Sequence, residues 1–114
     1  MIIHRNEMKF ENKERLRDGE GVVNITNLVD ADTEKNVRLL AEIRLEPGCS
    51  IGYHSHESET EYYIILSGTA LVNDDGKEVE VTQGASIITG NGASHSIKNI
   101  GSVPLVFHAI IVTY

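Results

Sequence analysis

Three histidines and a glutamate stand where one metal ion could collect them. His54 and His56 are two apart, so on an extended strand both side chains leave the same face. Glu61 follows five residues later, at the start of a strongly β-forming run, and His95 lies in a third such segment. Neutral imidazole and carboxylate are borderline-to-hard ligands that suit divalent manganese, iron, nickel, copper or zinc. No thiolate accompanies them, which argues against a closed structural zinc site. The competing reading is structural, since a core histidine is ordinarily a hydrogen-bonded spacer and a strand glutamate is ordinarily solvated. The joint spacing favours one divalent transition metal per chain, its identity open.

These residues need strands to position them, and period-2 alternation recurs along the chain with no long helical stripe. Val37, Leu39, Ala41, Ile43 and Leu45 share one face of a strand, with Arg38, Glu42 and Arg44 on the other. Glu46-Pro47-Gly48 closes it as a turn. Further strands are predicted over 22–29, through His54, and over 61–66, 69–72, 77–81, 85–89, 94–99 and 105–113. Asn73-Asp74-Asp75-Gly76 is a hairpin turn. Residues 7–17 mix charges and read as a short helix or a loop. Many short strands joined by turns mean a β-sandwich or barrel. The runs 62–66 and 105–112 are apolar on both faces, so part of the outside is covered. Two covers compete: a second copy of the chain, giving a homodimer, or the N-terminal segment packing over its own barrel.

Composition bounds the rest. The chain has 114 residues, 10 Lys+Arg against 17 Asp+Glu, and a formal charge of −7. That length suits a single domain over 1–114. The acidic balance argues against nucleic acid as a partner. No apolar run approaches the roughly 20 residues that span a bilayer, and no signal-like segment opens the chain, so no membrane partner is expected. One cysteine, Cys49, excludes an intrachain disulfide and accords with a reducing cytoplasm. Charge is divided unevenly: residues 45–114 hold only Lys77 and Lys98 against eight acids. Eight of the ten glycines also fall there.

The glycines frame the histidines in a recognisable way. From Gly48 to Gly68 the chain matches G(X)5HXH(X)4E(X)6G at every fixed position. From Gly84 to Asn99 it matches G(X)5PXG(X)2H(X)3N at Gly84, Gly92, His95 and Asn99, with Gly90 where proline is usual. On these two motifs, at 48–68 and 84–99, the chain resembles a small single-domain cupin. The resemblance implies an all-β double-stranded β-helix, or jelly-roll barrel, with a short N-terminal helix or a swapped strand. It also implies that His54, His56, Glu61 and His95 are the metal ligands. Gly90 in place of proline is expected to loosen a turn without removing a ligand.

Beyond the ligands, Tyr63 follows Glu61 on the same strand face and could point into the pocket; a buried, hydrogen-bonded tyrosine is the alternative. Glu57 and Glu59 lie between ligands, where Glu59 could serve as a lid acid or both could be solvated. His108 could be an acid/base group, or a satisfied imidazole among apolar neighbours. The chain is similar to bacterial small cupins called oxalate-decarboxylase-like, and that chemistry in the family uses a barrel arginine and a lid glutamate. Alternation puts Arg38 and Arg44 away from the pocket, so oxalate is discounted. Two functions remain. One is a metal-dependent enzyme (dioxygenase, decarboxylase or isomerase) acting on a small polar or carboxylate-containing molecule. The other is a non-catalytic module that binds or senses such a molecule.

Overall fold

Valine, isoleucine and threonine at alternate positions pull most of the chain into extended structure. The computed structural model describes residues 1–114 and contains ten strands. These are β1 (Lys9–Glu14), β2 (Val22–Asn27), β3 (Val37–Leu45), β4 (Ser50–Ser55), β5 (Glu59–Ser67), β6 (Ala70–Asp74), β7 (Lys77–Val81), β8 (Ser86–Gly90), β9 (Ser94–Asn99) and β10 (Leu105–Thr113). They form two antiparallel sheets, a six-stranded one in the order β1-β2-β3-β10-β5-β8 and a four-stranded one in the order β4-β9-β6-β7. The all-β jelly-roll expectation is met.

Alternation decides what lies between the sheets. Ala41, Ile43 and Leu45 of β3, Tyr63 and Ile65 of β5, and Leu105, Phe107 and Ala109 of β10 all point inward and are buried. In β9 every second residue (His95, Ile97, Asn99) is buried, as the period requires. Asn99 is a clip: its Nδ2 donates to the Leu45 and Val103 carbonyls, each at 2.8 Å, and its Oδ1 accepts from Gly101 N–H at 2.9 Å. The β6–β7 hairpin turns on Asp75 and Gly76, both with positive φ (50° and 100°), as its tight two-residue turn demands.

Three expectations are corrected. Residues 9–14 are neither helix nor loop but an edge strand, paired with β2 from Lys9↔Asn27 to Glu14↔Val22. Backbone pairing to an open sheet edge outweighs the weak local preference of a charged segment. Second, the N-terminal segment does not cover the barrel's apolar outside. It lengthens the sheet beyond β3 and leaves a row across four strands open: Leu40, Ile110, Tyr62 and Ile88, each opposite the next. Ile88 is 61% exposed and Ile64, beside the row, 37%. Third, Gly90 is the last residue of β8, paired with Thr60, and not part of a turn. Its backbone sits against Thr60, and a Cβ there would overlap the threonine side chain.

Arg15–Gly21 forms a strap across β4. The Glu20 N–H donates to Ser50 Oγ and the Ser50 N–H to the Glu20 carbonyl, both at 2.8 Å. Arg15, Arg17 and Asp18 all adopt left-handed dihedrals, with φ of 50°, 55° and 63°. Each such non-glycine residue costs roughly 1–2 kcal/mol, so packing against the barrel must hold the strap. Gly19 and Gly52 allow that packing, because a Cβ on Gly52 would overlap the Arg17 carbonyl oxygen. Gly52→Ala is therefore expected to destabilise the fold by about 2 kcal/mol or more, through forced backbone displacement. Gly48→Ala, where a Cβ meets nothing, should cost only about 1 kcal/mol for its left-handed dihedral. Urea unfolding of both variants checks this, and equal losses would refute the packing account.

Candidate metal centre

The four candidate ligands come from both sheets and converge at one end of the space between them. His54 and His95 are direct cross-strand partners on β4 and β9. His56 lies one residue past the end of β4, held by its N–H to the Ala93 carbonyl (3.1 Å). Glu61 stands on β5 of the other sheet, opposite Thr89 and Ile111. One potential ligand atom from each of the four falls within 4.8 Å of all the others. His56, Glu61 and His95 are buried, and His54 is half-buried.

The ring tautomers follow from what lies behind each imidazole. His54 Nδ1 is 2.7 Å from the Gly52 carbonyl, which only accepts, so Nδ1 carries the hydrogen. His56 Nδ1 donates to Glu59 Oε2 at 2.5 Å. His95 Nδ1 is 2.9 Å from Thr89 Oγ1, a hydroxyl that either donates or accepts. In the neutral rings of His54 and His56, Nε2 is left with a lone pair. His56 Nε2, His95 Nε2 and Glu61 Oε1 then stand 3.0 Å from one another in all three pairings. Three electron-rich atoms at that separation repel unless a cation lies among them.

A proton on His56 is one such cation. Hydrogen bonding to Glu61 raises the His56 pKa above its ordinary 6.5, with Glu59 adding to the effect. Burial alone would push the Glu61 carboxyl up, but hydrogen bonds from His56 and His95 hold it at about 2. Burial lowers the pKa of His54, favouring its neutral, ligating form. A metal ion is the other cation. Donors at right angles on bonds of about 2.1 Å stand about 3.0 Å apart, so the donor set suits a five- or six-coordinate ion with positions to spare. The residues present therefore form a group able to bind a metal.

Behind the donors the structure is stiff. Phe107, Tyr63 and His95 form an aromatic series, Tyr63 stacked on His95 at 4.8 Å and 13° and tilted against Phe107 at 4.7 Å. Tyr63 does face the cavity, and burial, then the charge of Glu61, raise its hydroxyl pKa well above 10, so it stays protonated. Glu59 is not a free lid acid. Its carboxylate is clasped bidentately by Arg38, with Nε at 3.0 Å and Nη2 at 2.9 Å, and holds His56 from behind. Arg38 keeps that carboxyl below its usual range. His108 lies elsewhere: it projects from the outer face of β10, between Glu42 and Ile64, away from the cavity.

Arg38 overturns the expectation that no arginine reaches the pocket. Ile111 pairs with Leu39 and Val112 with Val37, so Arg38 is the unpaired residue of a β-bulge. A bulge breaks strict alternation and re-aims the side chain, here into the wall of the cavity. Arg44, five pairs along a regular ladder from Leu39, stays outside and pairs with Glu46 at 3.4 Å. Two more cations missed by alternation also line the cavity: Lys13 from β1 and Arg17 from the strap. Only long-range placement of the N-terminal segment brings them there. The cavity measures about 320 Å³, and its apolar lining includes Leu39, Ile43, Ile51 and Ile111.

Comparison with known proteins is consistent with this geometry. A family model described as "Cupin domain" matches residues 41–112. An oxalate-binding protein of Thermotoga maritima is 38% identical over 113 residues, spanning 98% of this chain and 93% of its own. The crystal structure of a predicted oxalate decarboxylase from Thermotoga maritima is 36% identical, covers both chains fully and has a TM-score of 0.94. A polyketide cyclase from Streptomyces resistomycificus shares the fold at 20% identity and a TM-score of 0.76, covering 99% of this chain and 78% of its own.

Removing the support behind His56 should weaken metal binding without unfolding the protein. Glu59→Gln keeps the shape but loses the charge that fixes the ring, and partners of this kind typically contribute 10–100-fold in affinity. Competition titration with a chelating dye should show a drop of that size for Mn(II) or Zn(II). An unchanged affinity would show that Glu59 serves only Arg38.

Proposed function

The chain belongs to the cupin family, and on that premise we propose that it holds one divalent transition metal ion through His54, His56, Glu61 and His95. Against that ion it binds a small carboxylate. The observation that carries this reading is the coincidence, in one cavity, of four convergent donors with the side chains of Lys13, Arg17 and Arg38. When bound, such an ion supplies Lewis-acid polarisation of a ligand oxygen in its open position. The chain's own groups would do the rest: cations on the wall attract the anion, the isoleucines exclude water, and the Tyr63 hydroxyl holds its proton beside Glu61. The name of the Thermotoga relative makes oxalate the first ligand to try. The ground for discounting it disappears with Arg38 in the cavity wall.

Binding is favoured over turnover because Glu59 is engaged on both sides and His108 is remote. The enzyme reading rests on Tyr63, a protonated hydroxyl in the cavity that could deliver a proton to a substrate; decarboxylation, oxygenation or isomerisation would each use such a group. The chain would act as a single domain, as a homodimer, and in the reducing cytoplasm that its free Cys49 suits. No helix is long and apolar enough to cross a membrane. The homodimer reading is supported by the open apolar row across β3, β10, β5 and β8, which a second copy would cover.

Metal content and ligand binding should fall together. Protein purified without a polyhistidine tag should carry close to one divalent ion per chain and bind oxalate by calorimetry, and His56→Ala should abolish both. Less than about 0.1 ion per chain after incubation with each candidate metal would rule the site out. Consumption of oxalate or another small acid, with or without oxygen, would replace the binding reading by the enzymatic one. Ile88→Lys is expected to convert a sedimenting dimer into a folded monomer. An unaltered dimer would place the interface elsewhere.

A further inference from the structure

Of the three cations on the cavity wall, Arg38 already has a partner in Glu59, whereas Arg17 and Lys13 have none in any ion pair of the structure. Arg17 also sits on the most strained stretch of backbone in the molecule, between left-handed Arg15 and Asp18. Glycine would occupy that conformation without strain, yet an arginine stands there. Strain of this kind persists only where the surroundings over-determine it, and here they do. The strap is tied to β4 by the reciprocal Glu20–Ser50 hydrogen bonds and the close Gly52 contact. The effect is to fix the Arg17 backbone at the cavity, which places its side chain on the wall, close enough for its charge to be felt at the Tyr63 hydroxyl.

The charges lining and bracing the cavity state what such a residue would recognise. Lys13, Arg17 and Arg38, together with a divalent ion, face Glu11, Glu59 and Glu61, which leaves two positive charges to neutralise. One carboxylate against the ion answers only one of them. The volume of about 320 Å³ equals roughly ten waters, more than a two-carbon diacid displaces. A ligand with a second carboxylate reaching away from the ion would meet Arg17, whose planar fork suits bidentate pairing.

We propose that Arg17 is a specificity-determining residue, presented by the strained strap, that selects small dicarboxylates over monocarboxylates. This inference rests on the metal-and-carboxylate reading of the cavity and deepens it. Lys13, on the neighbouring edge strand, adds attraction but lacks the planar fork that confers selection.

The test uses Co(II)-loaded protein, whose visible absorption reports a ligand arriving at the ion, titrated with oxalate, malonate, succinate and acetate. The native chain should prefer at least one dicarboxylate over acetate by about tenfold or more, the size of a lost charge-assisted pair. Arg17→Gln and Arg17→Gly should both bring that ratio below about threefold, with Co(II) affinity unchanged and Arg17→Lys intermediate. Arg17→Gly also relieves the left-handed strain, so its thermal midpoint should not fall, which separates loss of selection from loss of fold. A dicarboxylate preference that survives both substitutions would assign selection to chelation by the ion and overturn the role of Arg17. Equal binding of acetate and diacids by the native chain would overturn it as well, as would a loss of Co(II) affinity in the variants. Failure of the native, metal-loaded chain to bind any carboxylate would instead overturn the ligand reading itself.

Discussion

Two imidazole nitrogens and a carboxylate oxygen facing one another at 3.0 Å set the terms for the rest of this molecule. His56 Nε2, His95 Nε2 and Glu61 Oε1 stay together only when a proton or another cation lies among them. Such a cluster is unfavourable in water and more so when buried, since low dielectric strengthens repulsion between acceptors as much as attraction to a cation. A fold that holds it together must do so with interactions elsewhere. The architecture can be understood as that restraint.

The restraint has layers. Pairing of β4 with β9 sets His54 opposite His95, and pairing of β5 with β8 sets Glu61 opposite Thr89, which in turn supports His95. The two sheets are thereby joined at the site by side chains, as they are at the far end by the Asn99 bond to the Leu45 carbonyl. The Phe107–Tyr63–His95 series carries the site onto the apolar core, so a shift of the His95 ring would require the core to repack. On the other side, Arg38 fixes Glu59 and Glu59 fixes His56. A donor set braced in this way changes little when an ion arrives, so little of the binding energy is consumed in ordering side chains.

What could be read from the sequence follows from how local each determinant is. The ligands and most strands were legible because alternation and fixed glycine spacings depend on neighbours a few residues away. His54, His56, Glu61 and His95 meet as their spacing suggests, and Tyr63 faces the cavity beside them. Arg38 was misplaced because a single unpaired residue in the β3–β10 ladder reverses the parity on which alternation relies. Nothing in Val37-Arg38-Leu39 announces that bulge. Residues 9–14 were misjudged for a different reason: a charged edge strand owes its form to a partner over ten residues away, not to its own composition. Glu59 and His108 show the same limit, since loop and mid-strand positions reveal a side chain's type but not whom it meets.

Charge ties these corrections together. The chain's excess acidity lies almost wholly beyond residue 44, in the segment that supplies all four donors. Taken alone, that segment would offer an anionic ligand only the ion. Folding changes this, because the edge strand, the strap and the bulge each deliver a cation from the first 44 residues to the wall of the same cavity. The candidate donors and the cations of the cavity wall thus come from different stretches of one chain. The donors are locked into paired strands and an aromatic core, where substitution costs the fold. The cations sit on an edge, a strap and a bulge, where backbone pairing is already incomplete and side chains change at little structural cost. On the proposed reading, such a division would let the choice of ligand shift while the metal chemistry stayed fixed, with the N-terminal segment as the part of this barrel that sets ligand specificity.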